Sequence, residues 1–167
     1  RLARPEQRNA MNSSMLAEIE DALAQLEGDA ELRVLIFSTT STRALCAGAD
    51  VSEQLDHAGG VARMEAFARL YAGVSRCPLP TIAVCVGNVV GAGAERACAC
   101  DLRVAGDNLK LMFPAATLGV PVGPARLTPL VGLSKAKEWV MTSKLVGADE
   151  ADRHGFCAAR VPEDEAD

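Results

Sequence analysis

Apolar residues along the chain fall into two patterns, helical spacing and short continuous runs. In the stretch NSSMLAEIEDALAQLEGD they recur every three or four positions. We therefore predict an amphipathic helix that Asn12 or Ser13 caps and that Gly28 ends. The same spacing predicts further helices over 61–75, 125–131, 134–143 and 148–154.

Short apolar runs predict strands, and the run over 33–39 is also rich in β-branched residues. These runs cover 33–39, 80–88, 102–106 and 109–114. LCAGADVSEQ is interpreted as a turn that leads into helical sequence, and Gly91 to Cys100 as a short helix. Strands that alternate with helices indicate an α/β fold with a mostly parallel sheet. With no repeat or linker, residues 1–167 are expected to form a single domain.

Composition narrows the function classes. The chain is 49% hydrophobic and 23% charged, as is usual for a globular protein. Aromatic residues make up 4% and the net charge is −5, so we expect no nucleic-acid partner. No apolar run approaches the ~20 residues that span a bilayer, and no signal peptide is recognised, so we expect a cytoplasmic protein without a membrane partner.

Six cysteines are present, and none forms a CxxC pair. Most lie in apolar runs, which indicates buried, reduced thiols. Cys98 and Cys100 form a CxC pair without a second pair or a His cluster, so no metal site is expected.

The stretch GNVVGAGAERACACD surrounds one acidic residue, Glu95, with glycines and alanines. It follows a strand and opens a helix, as a dinucleotide-binding motif does. However, Arg96 occupies the third glycine position of GxGxxG, and no acidic residue ends a strand about 20 residues later. The dinucleotide interpretation is therefore disfavoured.

A second interpretation uses the start of the helix. If Gly91 caps it, the amide of Ala92 is among the unpaired donors of the first turn. Glu95 lies three residues later on the same side. This pattern combines an amide that can hold an oxyanion with a carboxylate whose apolar surroundings should raise its pKa. On these residues alone the simpler alternative, a surface Glu95 paired with Arg96 or Arg103, is favoured, because most Glu side chains are exposed.

The turn LCAGAD, at 45–50, also follows an apolar run and also offers free amides beside small residues. Two such turns could direct two N–H groups at one carbonyl oxygen, the minimal oxyanion hole for an enolate or a tetrahedral anion. Asp101, directly after the second turn's helix, is interpreted as structural. Phe113 and Trp139 are expected in the core.

Several ordered blocks resemble the crotonase superfamily, the enoyl-CoA hydratases and isomerases. The blocks extend over nearly the whole chain: RPEQRNAM, CAGAD, PTIAVCVGNVVGAGAERACACDLRVA, FPAATLGVP, LTPLVG and ADEADRHGF. The resemblance implies a spiral of ββα units and trimers or pairs of trimers. It also implies acyl-CoA thioesters as ligands, with coenzyme A as part of the substrate and no separate cofactor.

The resemblance also implies roles for single residues. The amides of Ala49 and Ala92 would hold the thioester oxygen, although Ala92 stands where the family commonly has Gly. Glu95 matches the first of the two catalytic glutamates of the hydratases. The residues that resemble the coenzyme A cradle are Arg8, Ala10, Ala47 and Asp50.

One departure from the family pattern concerns the second catalytic glutamate. Family hydratases carry it in a PE pair, where this sequence has Pro114 and Ala115. Ala115 and Leu118 are assigned to the acyl pocket. The C-terminal helices that usually complete that pocket and the trimer contact are not in this sequence, and a missing acid or base could lie there.

Two functions therefore remain open. The first is an enoyl-CoA hydratase/isomerase-type enzyme, of altered or reduced activity, that uses Glu95 as general acid and base. The second is a non-catalytic acyl-CoA-binding or assembly subunit. The retained Glu95 favours the enzyme, whereas Ala92 and Ala115 favour the subunit.

Overall fold

The fold is described by a computed structural model that covers residues 1–26, 29–119 and 125–166. Seven α-helices are described: α1 Ser13–Leu26, α2 His57–Ser75, α3 Ala92–Ala99, α4 Ala115–Leu118, α5 Thr128–Val131, α6 Leu133–Thr142 and α7 Ala148–Arg153. The eight strands are β1 Leu35–Phe37, β2 Ala44–Cys46, β3 Thr81–Cys85, β4 Asn88–Val90, β5 Leu102–Gly106, β6 Lys110–Met112, β7 Val146–Gly147 and β8 Ala159–Val161. Short 3₁₀ helices lie at Pro5–Gln7 and Glu163–Glu165.

Strands β1 to β6 alternate along the chain between two sheets. One sheet has the order β1-β3-β5-β8 and the other the order β2-β4-β6-β7. All pairs are parallel except β6 with β7. Each successive two strands of the chain thus add one strand to each sheet. Helix α2 follows β1 and β2, and helix α3 follows β3 and β4. The predicted α/β class with mostly parallel sheet and the spiral of ββα units are confirmed.

Several predicted elements are confirmed close to their expected bounds. Helix α1 begins at Ser13, where the Asn12 side chain accepts a hydrogen bond from the Met15 amide at 3.0 Å. The predicted end of this helix at Gly28 lies outside the described residues. Helix α3 and strand β5 match the expected ranges within two residues.

Other predictions were wrong in their bounds. Strand β2 was interpreted as part of a turn, because only three residues pair with β4 before the Gly/Ala sequence begins. The single strand expected over 80–88 is two strands, since Gly87, with a φ of 56°, separates β3 from β4. Helix α2 starts earlier than expected, because Asp56 accepts a hydrogen bond from the Gly59 amide.

The core lies between the sheets and the helices. Trp139 and Phe113 are buried in it, as predicted. All six cysteines are free thiols, and five of them are buried; Cys77 is half-buried. Asp101 is structural, as expected, because its carboxylate accepts hydrogen bonds from the amide and the hydroxyl of Thr81 at 2.8 and 2.7 Å. Among the described helices, none is both long and apolar enough to span a bilayer.

Candidate active site

Helix α3 packs directly against strand β2. A Cβ added to Gly93 would lie 2.6 Å from the Cys46 carbonyl oxygen and 2.7 Å from the Cys46 Cβ. These distances are too short for any side chain, so only glycine permits this approach. The close packing fixes the position of the first turn of α3 relative to the end of β2.

The two Gly/Ala turns meet at this point. Gly48, in the turn after β2, has a φ of 105°, and a Cβ added there would lie 4.0 Å from the Ala92 nitrogen. Ala92 is the first residue of α3 after Gly91, the predicted cap, so its N–H has no partner within the helix. The Ala49 N–H likewise makes no backbone hydrogen bond among the described residues. The fold therefore brings the two predicted oxyanion-hole amides to neighbouring turns.

The N-terminal segment is held against the first of these turns. The Ala47 amide donates to the Arg8 carbonyl at 3.0 Å, and the Met11 amide donates to the Gly48 carbonyl at 2.8 Å. Arg8 is exposed, while Ala10 and Ala47 are partly exposed. The structure thus brings together the residues that the resemblance assigned to coenzyme A binding.

Asp50 belongs to the same cluster, but its carboxylate already has partners within the chain. It accepts hydrogen bonds from the hydroxyl and amide of Ser52 at 2.6 and 3.1 Å, and from Arg4 at 3.3 Å. The Ser52 hydrogen bonds, with help from Arg4, lower the pKa of this carboxyl. Arg4 also donates to the Ala10 carbonyl at 2.6 Å. Asp50 and Arg4 together hold Ala10 against the turn after β2, a role for Arg4 that the sequence pattern did not indicate.

Glu95 is buried on α3, one turn after Ala92. Only 3% of it is exposed, so the alternative of a surface residue was wrong. Its partner is also different from those considered, because Oε2 lies 3.7 Å from Nη1 of Arg126. Among the described residues, Oε1 has no hydrogen-bond partner. Burial raises the pKa of Glu95 to about 7, although the positive charge of Arg126 opposes this shift. Glu95 is therefore present both as an acid and as a base near neutral pH.

Arg126 and Tyr71 complete the surroundings of Glu95, and the sequence pattern indicated neither of them. The Arg126 guanidinium carbon lies 5.2 Å from the centre of the Tyr71 ring, which is a cation–π distance. Tyr71 comes from α2, and burial, followed by the charge of Glu95, raises the pKa of its hydroxyl. Arg126 is the only charged residue between Lys110 and Lys135. That isolation was the one available signal in the sequence.

The two residues assigned to the acyl pocket lie on α4. Ala115 is its first residue and is buried. The preceding Pro114 lies 3.8 Å from a Cβ added to Gly91, so α4 begins beside the start of α3. Leu118 ends α4, and the placement of its side chain lies outside what the structure describes. Residues 114–127 contain no Asp or Glu in the sequence, so this segment offers no second carboxylate.

Among the described residues, no group of three or more His, Cys, Asp or Glu side chains could hold a metal ion. The chemical groups assembled at this site are two backbone amides, one carboxylate and one guanidinium.

The whole chain, residues 1–167, matches the family model for enoyl-CoA hydratase/isomerase. It is 34% identical over 167 residues to a probable enoyl-CoA hydratase of Mycobacterium tuberculosis, with 98% of this chain and 65% of that protein covered. It is 33% identical over 162 residues to a short-chain-enoyl-CoA hydratase of Clostridium acetobutylicum, with 92% and 60% covered.

Solved structures give the same result for the fold. An enoyl-CoA hydratase from Bacillus anthracis superposes with a TM-score of 0.94 at 30% identity, covering 98% of this chain and 65% of that one. This chain therefore spans 60% to 65% of the length of these relatives. The family match over the full chain and the close structural agreement show that this protein belongs to the enoyl-CoA hydratase/isomerase family of the crotonase superfamily.

Proposed function

We propose that this protein is an enzyme that acts on an acyl-CoA thioester by forming its enolate. The amides of Ala49 and Ala92 hold the thioester oxygen as negative charge develops on it. Glu95 moves the proton. The single observation that carries the proposal is the Glu95 carboxylate, buried one turn after Ala92, with a pKa of about 7 and with one oxygen that has no hydrogen-bond partner in the described part of the chain.

Hydration by one carboxylate has a balanced sequence of steps. Glu95, as the carboxylate, takes a proton from water while the water oxygen bonds to Cβ of the enoyl thioester. The C=C electron pair moves towards the carbonyl and forms the enolate that the two amides stabilise. The now neutral Glu95 returns the proton to Cα, and the carbonyl reforms. One group thus serves as base and then as acid, which requires a pKa close to the working pH.

The absence of a carboxylate at Ala115 affects the expected rate. Where two carboxylates act, base and acid are separate groups, and losing one typically costs about 10²–10⁴-fold. We therefore propose slow hydration, or another reaction through the same enolate, such as proton transfer between carbons. Relatives are named enoyl-CoA hydratases, which supports the acyl-CoA substrate class.

The coenzyme A moiety would bind along the cradle formed by Arg8, Ala10, Ala47 and Asp50. Arg8 is exposed there and can form an ion pair with a phosphate of coenzyme A. Asp50 instead keeps the cradle in position through its hydrogen bonds with Ser52 and Arg4. The acyl group would extend past Ala92 towards Ala115 and Leu118. Assembly as a trimer or a pair of trimers, and a cytoplasmic location, remain part of this proposal.

The test is turnover of crotonyl-CoA by the full-length protein, followed as loss of the conjugated thioester absorbance. Glu95→Gln keeps the shape of the side chain and removes the titrating group, so turnover should fall by about 10²-fold or more. Glu18→Gln, on the exposed face of α1, is the matched control and should retain activity. Equal turnover in the wild type and Glu95→Gln would contradict the proposal. Binding of crotonyl-CoA without turnover by the wild type would favour the non-catalytic binding subunit.

A further inference from the structure

Arg126 has more hydrogen-bonding capacity than the chain uses. A guanidinium carries five N–H donors. Among the described residues, its only polar partner is Glu95 Oε2, at 3.7 Å, which is an ion-pair distance but too long for a hydrogen bond. Its donors are therefore without a hydrogen-bond acceptor among the described residues, and 34% of the side chain is exposed.

The guanidinium is nevertheless held in place. Its central carbon lies 5.2 Å from the centre of the Tyr71 ring. The ring itself stacks on Phe67, with the two centres 6.0 Å apart and the planes inclined by 19°. Phe67 is buried in the core, which anchors this stack. A guanidinium stacked on a ring keeps its edges free for a planar anion.

The position of Arg126 determines which part of a ligand it can contact. It lies beside the carboxylate proposed to move the substrate proton, and segment 114–127 supplies no acid to neutralise it. A hydrocarbon acyl chain placed here would remove water from the guanidinium without replacing its hydrogen bonds, which is costly. A carboxylate would accept two parallel hydrogen bonds from it.

We propose that Arg126 binds a carboxylate on the acyl group, so that the substrate is a carboxyacyl-CoA thioester. This inference rests on the proposed function, because it places the acyl group beside Glu95. The 3.7 Å separation between Arg126 and Glu95 puts that carboxylate near the reacting carbons. A short carboxyacyl group therefore fits better than a long one.

A matched pair of substrates tests this. Glutaconyl-CoA is a short enoyl thioester that ends in a carboxylate, and its methyl ester has a similar shape without the charge. A hydrogen bond to a charged group contributes about 1.5–3 kcal/mol, so kcat/KM should favour the carboxylate by about tenfold or more. Arg126→Gln should abolish this preference. Arg69→Gln, on α2 but paired with Glu20 at the surface, should retain it.

Binding of the saturated analogues separates this inference from the proposed function. Glutaryl-CoA and its methyl ester cannot be hydrated, and their Kd values are measured by calorimetry. Tighter binding of glutaryl-CoA that depends on Arg126 supports the inference even if no enoyl thioester turns over. Equal Kd values for the two compounds, or no binding of either, would overturn it. If Arg126→Gln lowers kcat equally for both enoyl substrates without changing their ratio, Arg126 acts only through Glu95 and the inference also fails.

Discussion

Glu95 and Arg126 form an uneven ion pair, in which one carboxylate oxygen lies 3.7 Å from the guanidinium and the other has no partner among the described residues. Burial favours the neutral acid, whereas Arg126 favours the carboxylate, and burial has the larger effect. The result is a carboxyl group that can accept a proton and return it near pH 7.

The raised pKa of Glu95 predicts a pH dependence of stability. Folding shifts this pKa from its ordinary 4.5 to about 7, so between these values the native state binds more protons than the unfolded state. The free energy of unfolding should therefore fall as the pH rises from about 5 to about 8, with a contribution from Glu95 of about 2–3 kcal/mol. Urea denaturation at pH 5 and pH 8 measures it. Glu95→Gln should remove this decline and Glu18→Gln should retain it; an unchanged decline in Glu95→Gln would contradict the assignment.

Arg126 should determine the pH at which kcat/KM falls on the acid side. Its charge lowers the pKa of Glu95, so Arg126→Gln should move the acid limb of kcat/KM to higher pH, whereas Arg126→Lys keeps the charge and should move it less. The measurement is kcat/KM for crotonyl-CoA from pH 5 to pH 9. Coincident profiles for the wild type and Arg126→Gln would show that the ion pair does not influence the reacting form of Glu95.

Gly93 should tolerate no side chain. Gly93→Ala would place a methyl group 2.6 Å from the Cys46 carbonyl oxygen, so either β2 or α3 must move. We expect a loss of about 1–3 kcal/mol in the free energy of unfolding, together with lower turnover, because Ala92 and Glu95 move with the helix. Gly60→Ala is the matched control. Nothing lies within 4 Å of its added Cβ, and alanine in helix α2 should stabilise by about 0.5–1 kcal/mol.

Two buried arginines should respond oppositely to loss of charge. Arg96 is fully buried, with Nη1 and Nη2 unpartnered among the described residues and a cation–π contact to Phe37 at 5.1 Å. Arg96→Met should stabilise the protein by about 1–3 kcal/mol, since it removes an uncompensated charge. Arg103 instead donates to the carbonyls of Phe156, Ala97, Cys100 and Asp101.

Arg103→Met should therefore destabilise the protein by at least about 2 kcal/mol, because it leaves buried carbonyl groups unpaired. Denaturation midpoints and slopes of both variants give the comparison. A loss of stability in Arg96→Met as large as that in Arg103→Met would show that Arg96 has a partner of comparable strength.

The sequence predicted the elements whose pattern is local. Helix α3 and its cap at Gly91 follow from the local pattern of small residues, whereas the burial of Glu95 was not decided by that pattern and depends on the tertiary fold. Strand β2 was not predicted, because its three residues form a strand through pairing with β4 and not through a pattern of their own. Arg126 and Tyr71 were missed for the same reason, since only the tertiary fold brings them to Glu95 from distant parts of the chain.

The central claim is that this site forms the enolate of a CoA thioester through Glu95. It is tested most directly by incubating butyryl-CoA with the full-length protein in D₂O and following deuterium at Cα by mass spectrometry. This exchange requires neither hydration nor isomerisation. We predict that the wild type and Glu18→Gln incorporate deuterium and that Glu95→Gln, although it still binds the thioester, does not. Equal exchange by Glu95→Gln, or no exchange by a wild type that binds butyryl-CoA, would contradict the account.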